Sequence, residues 1–152
     1  MKILLAGCGD IGCRTGLRLA PQHECFGLKR NPQNLPDSIS PIAGSLTDLN
    51  RLQEVLAEGF DVLVVTLTPG AFTPEAYQQS YVDGAATLVA AINNAEQKPR
   101  LVIWVSSTSV YGNNQGAWVD EQSATAAQSF SGKLLLQAEE HIAALPCASI
   151  IV

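Results

Sequence analysis

Residues 2–12, Lys2-Ile3-Leu4-Leu5-Ala6-Gly7-Cys8-Gly9-Asp10-Ile11-Gly12, decide how this chain folds. Ile3 to Ala6 form an unbroken apolar run, as expected of a strand covered on both faces. The next six residues make a GxGxxG directly after that strand and directly before a helical pattern, the setting that gives the motif its meaning. There Gly7 permits the tight turn, Gly9 lets backbone N–H groups approach a pyrophosphate, and Gly12 lets the helix lie close to the strand. Asp10, Ile11 and Gly12 open the helix, where unpaired N–H groups and the dipole favour an anion. The stretch predicts a dinucleotide-binding βαβ unit.

The chain has 152 residues, 47% hydrophobic and 15% charged, the size and composition of one soluble domain with an ample core. No apolar run is long enough to cross a membrane, and Met1-Lys2-Ile3 leads straight into a strand. Neither a signal peptide nor a membrane helix is expected. Cys8, Cys13, Cys25 and Cys147 show no CxxC spacing, so reduced thiols in a cytoplasmic protein are the expectation. A net charge of −5 argues against nucleic-acid binding and leaves any positive patch to a small anionic ligand. The sequence carries no internal repeat and no metal-ligand cluster, and His23 and His141 stand alone.

Beyond the glycine loop, Ile11, Thr15 and Leu19 recur at helical spacing, with Gly12 and Gly16 on a neighbouring stripe that allows close approach to the sheet. Pro21 stops the helix. His23 to Leu28 reads as a second strand ending in Lys29-Arg30. At this position an acid would bond the 2'-hydroxyl of NAD, whereas basic residues accommodate the 2'-phosphate of NADP. Arg30 also offers a planar fork to a phosphate, so NADP is the expected cofactor and NAD the second choice. Residues 31–41, with three prolines, read as a loop. Pro41-Ile42-Ala43 is a weak third strand, followed by Gly44-Ser45-Leu46 where the adenine ring would lie. Asp48 or Thr47 caps a helix whose Leu49, Leu52 and Leu56 face the sheet and whose end is marked by Gly59.

Asp61 to Thr66 is apolar and β-branched, the clearest strand in the chain. Its exit, Leu67-Thr68-Pro69-Gly70, falls at the carboxyl end of the sheet, where open α/β folds bind ligands. A long helical pattern follows, with Tyr77, Tyr81, Ala85, Leu88 and Ile92 on one face. Arg100 to Val105 is a further buried strand running into Ser106-Ser107-Thr108-Ser109-Val110-Tyr111-Gly112, hydroxyls gathered near the expected nicotinamide position. A last helix from about Ser131 to Leu145 presents Leu134, Leu135, Ala138 and Ile142. Ser129 and Lys133, four apart, share one side near its start. Cys147 to Val152 begins a sixth strand. The expected fold is a doubly wound α/β Rossmann domain over residues 1–152, with a mainly parallel sheet in the order 3-2-1-4-5-6 and helices on both faces.

GCGDIG, YVDGAATLVAAI and WVSSTSVYG together resemble the extended short-chain dehydrogenase/reductase superfamily, and within it the NAD(P)-dependent epimerase/dehydratase-like proteins. The resemblance implies an oxidoreductase or epimerase acting on a small hydroxyl or carbonyl compound, such as a nucleotide-linked sugar. It implies that Ser107 orients the substrate oxygen and that Lys133 holds the nicotinamide ribose. The proton-exchanging tyrosine of the family falls on Ser129, which departs from the pattern. A serine hydroxyl is a far weaker acid than a phenol of pKa about 10. Three readings stay open: Tyr111, Tyr81 or another group replaces the acid; the protein binds NADP without turnover, as a sensor or scaffold; or chemistry depends on further chain. Dehydratases of the superfamily carry an acidic pair where this chain has Thr108 and Ser109. Extended members also continue into a smaller C-terminal substrate domain, so the 152 residues are expected to be the cofactor-binding part of a longer protein. Members often pair through helices flanking strands 4 and 5, and the resemblance admits a homodimer.

Overall fold

The strand β1 (Lys2–Ala6) is central, with Ile3, Leu4, Leu5 and Ala6 all buried. It pairs in parallel with β2 (Glu24–Lys29) on one side and β4 (Val62–Val65) on the other. Both faces and both edges of β1 are thereby removed from water, which is why its sequence needs no polar alternation. The structure is a computed structural model, and it describes residues 1–112 and 115–152. With β3 (Ile39–Ala43), β5 (Leu101–Trp104) and β6 (Ala148–Ile151), the described residues form a six-stranded parallel sheet ordered β3-β2-β1-β4-β5-β6. This is the expected doubly wound order, and its reversal between β1 and β4 opens a crevice at the carboxyl ends of those strands.

Strand alternation sorts the apolar side chains into two cores. Leu4 and Ala6 join Leu63, Val65, Val102 and Trp104 with residues of α2 (Leu49–Leu56), α4 (Gly84–Asn94) and α5 (Phe130–Ala143). Ile3 and Leu5 join Cys25, Ile39 and Val64 on the face where α1 (Asp10–Leu19) packs.

The glycine stripe of α1 approaches the sheet as expected, without Ile11 beside it, whereas the inward face of α2 differs from the expectation. In α1 the buried residues are Gly12 and Gly16, while Ile11 is 57% exposed. A Cβ at Gly16 would lie 2.5 Å from Ile39 Cδ1 and 2.6 Å from Leu5 Cδ1. The glycine stripe therefore is the contact face, because only there can the helix backbone settle onto β1 and β3. In α2 the inner residues are Leu52, Val55 and Leu56, and Leu49 is 37% exposed. Asp48 caps this helix as expected, its Oδ1 accepting from Arg51 N at 3.1 Å. The long helical pattern is not uniform: α3 (Pro74–Tyr77) passes through a π-wound segment, Gln78–Asp83, before α4.

Candidate functional site

The glycine loop is tied to both neighbouring strands. Gly7 has φ +78°, and a Cβ there would stand 2.8 Å from Thr66 O, so both conformation and space demand glycine. Gly7 N and Cys8 N donate to Leu28 O at 3.0 and 3.2 Å. On the other side the buried Thr66 donates from Oγ1 to Gly7 O at 3.0 Å. Gly9 is different. It is exposed, serves as the N-cap of α1 without a side-chain cap, and a Cβ on it would meet only Gly7 O at 3.8 Å. Protein packing does not require a glycine there, whereas close approach of a ligand to the helix N-terminus does.

A cleft of ≈ 870 Å³ starts at this loop. It runs past Lys29 and Arg30 at the end of β2, past Gly44 to Thr47 after β3, past Thr66 to Thr68 after β4, and reaches Gln79 and Ser80 on the π-wound segment. Its volume lies within the range typical of sites for small organic ligands. Among the described residues lining it there is no carboxylate, and the charged ones are Lys29 and Arg30. Neither forms an ion pair among the described residues. A chain of net charge −5 thus concentrates positive charge where β2 ends. The loop and cleft fit a dinucleotide: N–H groups at α1 for the pyrophosphate, two cations beside β2, and a partly apolar wall at Leu46 and Leu67.

Of the cofactor residues expected from the sequence, Gly7, Gly9, Lys29, Arg30, Ser45, Leu46, Leu67 and Thr68 line the cleft. Asp10, Ile11, Gly12, Pro69 and Lys133 stand outside its wall. Gly12 is buried behind the loop, where a Cβ would be 3.1 Å from Thr66 Oγ1, and Asp10 is paired with Arg14 at 3.0 Å on the helix surface. The sequence reading missed Asn31, Asn34, Gln79 and Ser80, which also line the cleft. The first two follow Arg30 closely and could have been found by extending the β2 terminus. The other two depend on the helix winding.

The expected chemical groups collect elsewhere. Ser107 caps the short 3-10 turn Thr108–Val110, its Oγ accepting from Ser109 N at 3.2 Å. This turn packs against α5 so closely that a Cβ on Gly132 would meet Ser109 O. Lys133 therefore emerges exposed beside the turn that carries Ser107 and the half-buried Tyr111. Ser129 is the N-cap of α5: its Oγ accepts from Gly132 N at 3.1 Å and lies 3.1 Å from Ser131 Oγ. Ser106 Oγ donates to Glu139 Oε1 at 2.5 Å, which anchors the end of β5 to α5. Tyr81 donates to Leu67 O at 3.3 Å, and burial, with Tyr77 beside it, pushes its phenol up. No group of three His, Cys, Asp or Glu able to hold a metal occurs among the described residues, and no helix among them is long and apolar enough to cross a membrane.

Comparison with known proteins agrees with this geometry. The profile of the NAD dependent epimerase/dehydratase family matches residues 3–132. A structure from Methylobacillus flagellatus, assigned to the NAD-dependent epimerase/dehydratases, is 35% identical, with a TM-score of 0.79 over 99% of this chain and 52% of its own. The Bordetella bronchiseptica enzyme WbmG, in complex with NAD and UDP, is 18% identical with a TM-score of 0.82 and the same two coverages, 99% and 52%. UDP-glucuronic acid 4-epimerase from Bacillus cereus is 22% identical with a TM-score of 0.81, over 99% of this chain and 55% of that one. These last two likenesses concern the fold. The chain spans about half the length of the structures it matches. Curated protein sequences give no match. The glycine loop, the parallel order of the sheet and the profile match over residues 3–132 together place the chain in the NAD-dependent epimerase/dehydratase family.

Proposed function

We propose that the cleft binds NADP in preference to NAD, and that the chain is the cofactor half of an oxidoreductase or epimerase acting on a hydroxyl or carbonyl of a nucleotide-linked sugar. The observation that carries the cofactor reading is the charge of the cleft: Lys29 and Arg30, in no ion pair among the described residues, with no carboxylate in the described wall. A 2'-phosphate suits that pair, and an acid able to bond a free 2'-hydroxyl is missing from it. Gly7, Gly9 and the backbone N–H groups of Asp10 and Ile11 that open α1 receive the pyrophosphate, while Gly12, buried behind the loop, lets the helix lie close to it. Ser45 and Leu46 border the adenine, and Leu67 and Thr68 line the way to the nicotinamide, with Pro69 just outside the wall. The sugar reading follows the family and its structural relatives, WbmG in complex with NAD and UDP and the Bacillus cereus epimerase with a UDP-sugar analogue and NAD. A C-terminal substrate domain completes the pocket in this reading.

Bound nicotinamide would supply hydride chemistry at the substrate carbon. Ser107 already accepts a hydrogen bond from Ser109 N, so its own proton is the one available to a substrate oxygen. Lys133 offers its ammonium to the nicotinamide ribose. Ser129 cannot take the tyrosine's part well, since an aliphatic hydroxyl is a far weaker acid than a phenol near neutral pH, and its Oγ serves as the cap of α5 for Gly132 N. A helix-capping serine at the position of the family's acid favours a second reading, in which the chain binds NADP without efficient turnover and reports its level to a partner.

Replacing Lys29 and Arg30 together by Ala tests the cofactor assignment. The NADP/NAD affinity ratio should fall by about tenfold or more, the scale of one lost charge-assisted phosphate contact, with NAD affinity little changed. An unaltered ratio contradicts it. Single-turnover assays with NADPH and a carbonyl panel separate the two functional readings, because transfer that Ser107→Ala abolishes sinks the sensor.

A further inference from the structure

One cysteine lines the cofactor cradle and a second stands behind it on α1, outside the cleft wall. Cys8, the second residue of the GxGxxG, is fully buried and lines the cleft; Cys13 lies in the second turn of α1 and is only partly buried. Their sulfurs are 3.7 Å apart, and Cys13 Sγ is also 3.7 Å from Cys8 O. Neither sulfur is in a disulfide. A disulfide needs its sulfurs at about 2.0 Å, so a small movement separates the dithiol from a bond. We propose that Cys8 and Cys13 form an oxidisable pair whose disulfide distorts the glycine loop and lowers dinucleotide affinity.

The environment of Cys8 explains why bond formation reaches the loop. Its sulfur is wedged between helix and sheet, 3.5 Å from the place a Cβ would take on Gly12 and 3.1 Å from that place on Gly27. Drawing it toward Cys13 pulls it out of this wedge. The backbone it belongs to holds the loop through Cys8 N to Leu28 O and Gly9 N to Gly7 O, at 3.2 and 2.6 Å. Any shift there moves the N–H groups that would meet a pyrophosphate.

The order of events follows exposure. Cys13 is accessible to a peroxide, whereas the Cys8 thiol is buried and keeps its proton. The Cys13 sulfur attacks one oxygen of hydrogen peroxide and the O–O bond breaks. The thiol proton leaves with the departing hydroxide as water, and a sulfenic acid remains. The Cys8 sulfur then attacks that sulfur, the S–O bond breaks as the S–S bond forms, and the Cys8 proton leaves in a second water. Two thiols lose two electrons in all, and one peroxide becomes two waters. Proximity offsets the poor acidity of Cys8, because the second step is intramolecular.

The effect on affinity rests on the dinucleotide reading above; formation of the disulfide does not. The test treats the full chain with hydrogen peroxide, maps disulfides by mass spectrometry of the peptides, and titrates reduced and oxidised protein with NADP. The expected result is loss of two hydrogen atoms from the peptides holding Cys8 and Cys13 and at least about a tenfold weaker dissociation constant. Dithiothreitol should reverse both changes, and Cys13→Ser should bind NADP normally but ignore peroxide. Absence of a Cys8–Cys13 bond overturns the inference, as does a mapped bond with unchanged affinity. Reduced protein that binds neither NADP nor NAD would instead overturn the functional reading and the coupling to it, with the mass still deciding whether the pair oxidises.

Discussion

Gly7 and Gly9 look equivalent in the motif and do different work. Gly7 holds a positive φ and faces Thr66 O at 2.8 Å from a would-be Cβ, so Gly7→Ala should cost about 1–3 kcal/mol of stability. Gly9→Ala meets no protein side chain; it should stay within about 1 kcal/mol of the parent and yet weaken dinucleotide binding, because the added methyl enters the space kept for the ligand. Chemical denaturation and a ligand titration on both variants check this pair, and equal stability losses would contradict it. Cys8 gives a pH signature. Burial, then the hydrogen bond and charge of Cys13, push its thiol up from 9.0 to about 12. The unfolded chain therefore releases this proton around pH 9 while the fold keeps it until about 12, so stability falls as pH rises through that window and is intact below it. Denaturation curves at alkaline pH should slope less for Cys8→Ala, the remaining slope coming from Cys25, Cys147 and Tyr81, whose burial acts in the same direction. An unchanged slope contradicts the assignment. The roles of these residues were only partly legible in sequence: GxGxxG marks all three glycines for backbone reasons, but which one faces Thr66 and which faces empty space is a tertiary fact.

At the scale of the element, the strands were the easiest to read, since burial on both faces leaves β1 and β4 as apolar runs, and β5, with one face buried and the other half-buried, is apolar as well. Helix faces were harder. The spacing of Ile11, Thr15 and Leu19 satisfies helical periodicity, yet α1 turns its glycines inward because β1 and β3 approach too closely for a side chain at Gly16. In α2, Leu49 is likewise turned partly outward, while Val55, three residues beyond Leu52, joins the inner face. The π-wound segment Gln78–Asp83 left no trace in the apolar pattern, and so Gln79 and Ser80 went unnoticed as cleft residues. For α5, the cap explains why Ser129 has a structural use whatever the chemistry. Ser129→Ala should cost about 1 kcal/mol through the lost bond to Gly132 N and should barely alter dinucleotide affinity, as read by denaturation and titration together. A large loss of affinity with unaltered stability would mean that Ser129 acts on the ligand rather than on the helix.

The whole molecule shows why cofactor and catalysis differ in how well they can be read. A dinucleotide cradle is assembled from strand ends and loops of consecutive βα units, so a linear sequence with the right spacing nearly specifies it. The chemical end depends on the 3-10 turn after β5 meeting the start of α5, a contact between distant segments that Gly132 makes possible, and on whatever covers it. The structural relatives are about twice as long as this chain. What the described residues assemble is a charged cleft at the switch point of the sheet, its two cations suited to a phosphorylated dinucleotide. The most direct test is thermal and chemical denaturation of the chain with increasing NADP and, separately, NAD. Both should stabilise the chain, by about 2.7 kcal/mol when the ligand reaches 100 times its dissociation constant, with NADP effective at the lower concentration. No stabilisation by either dinucleotide would contradict the dinucleotide assignment.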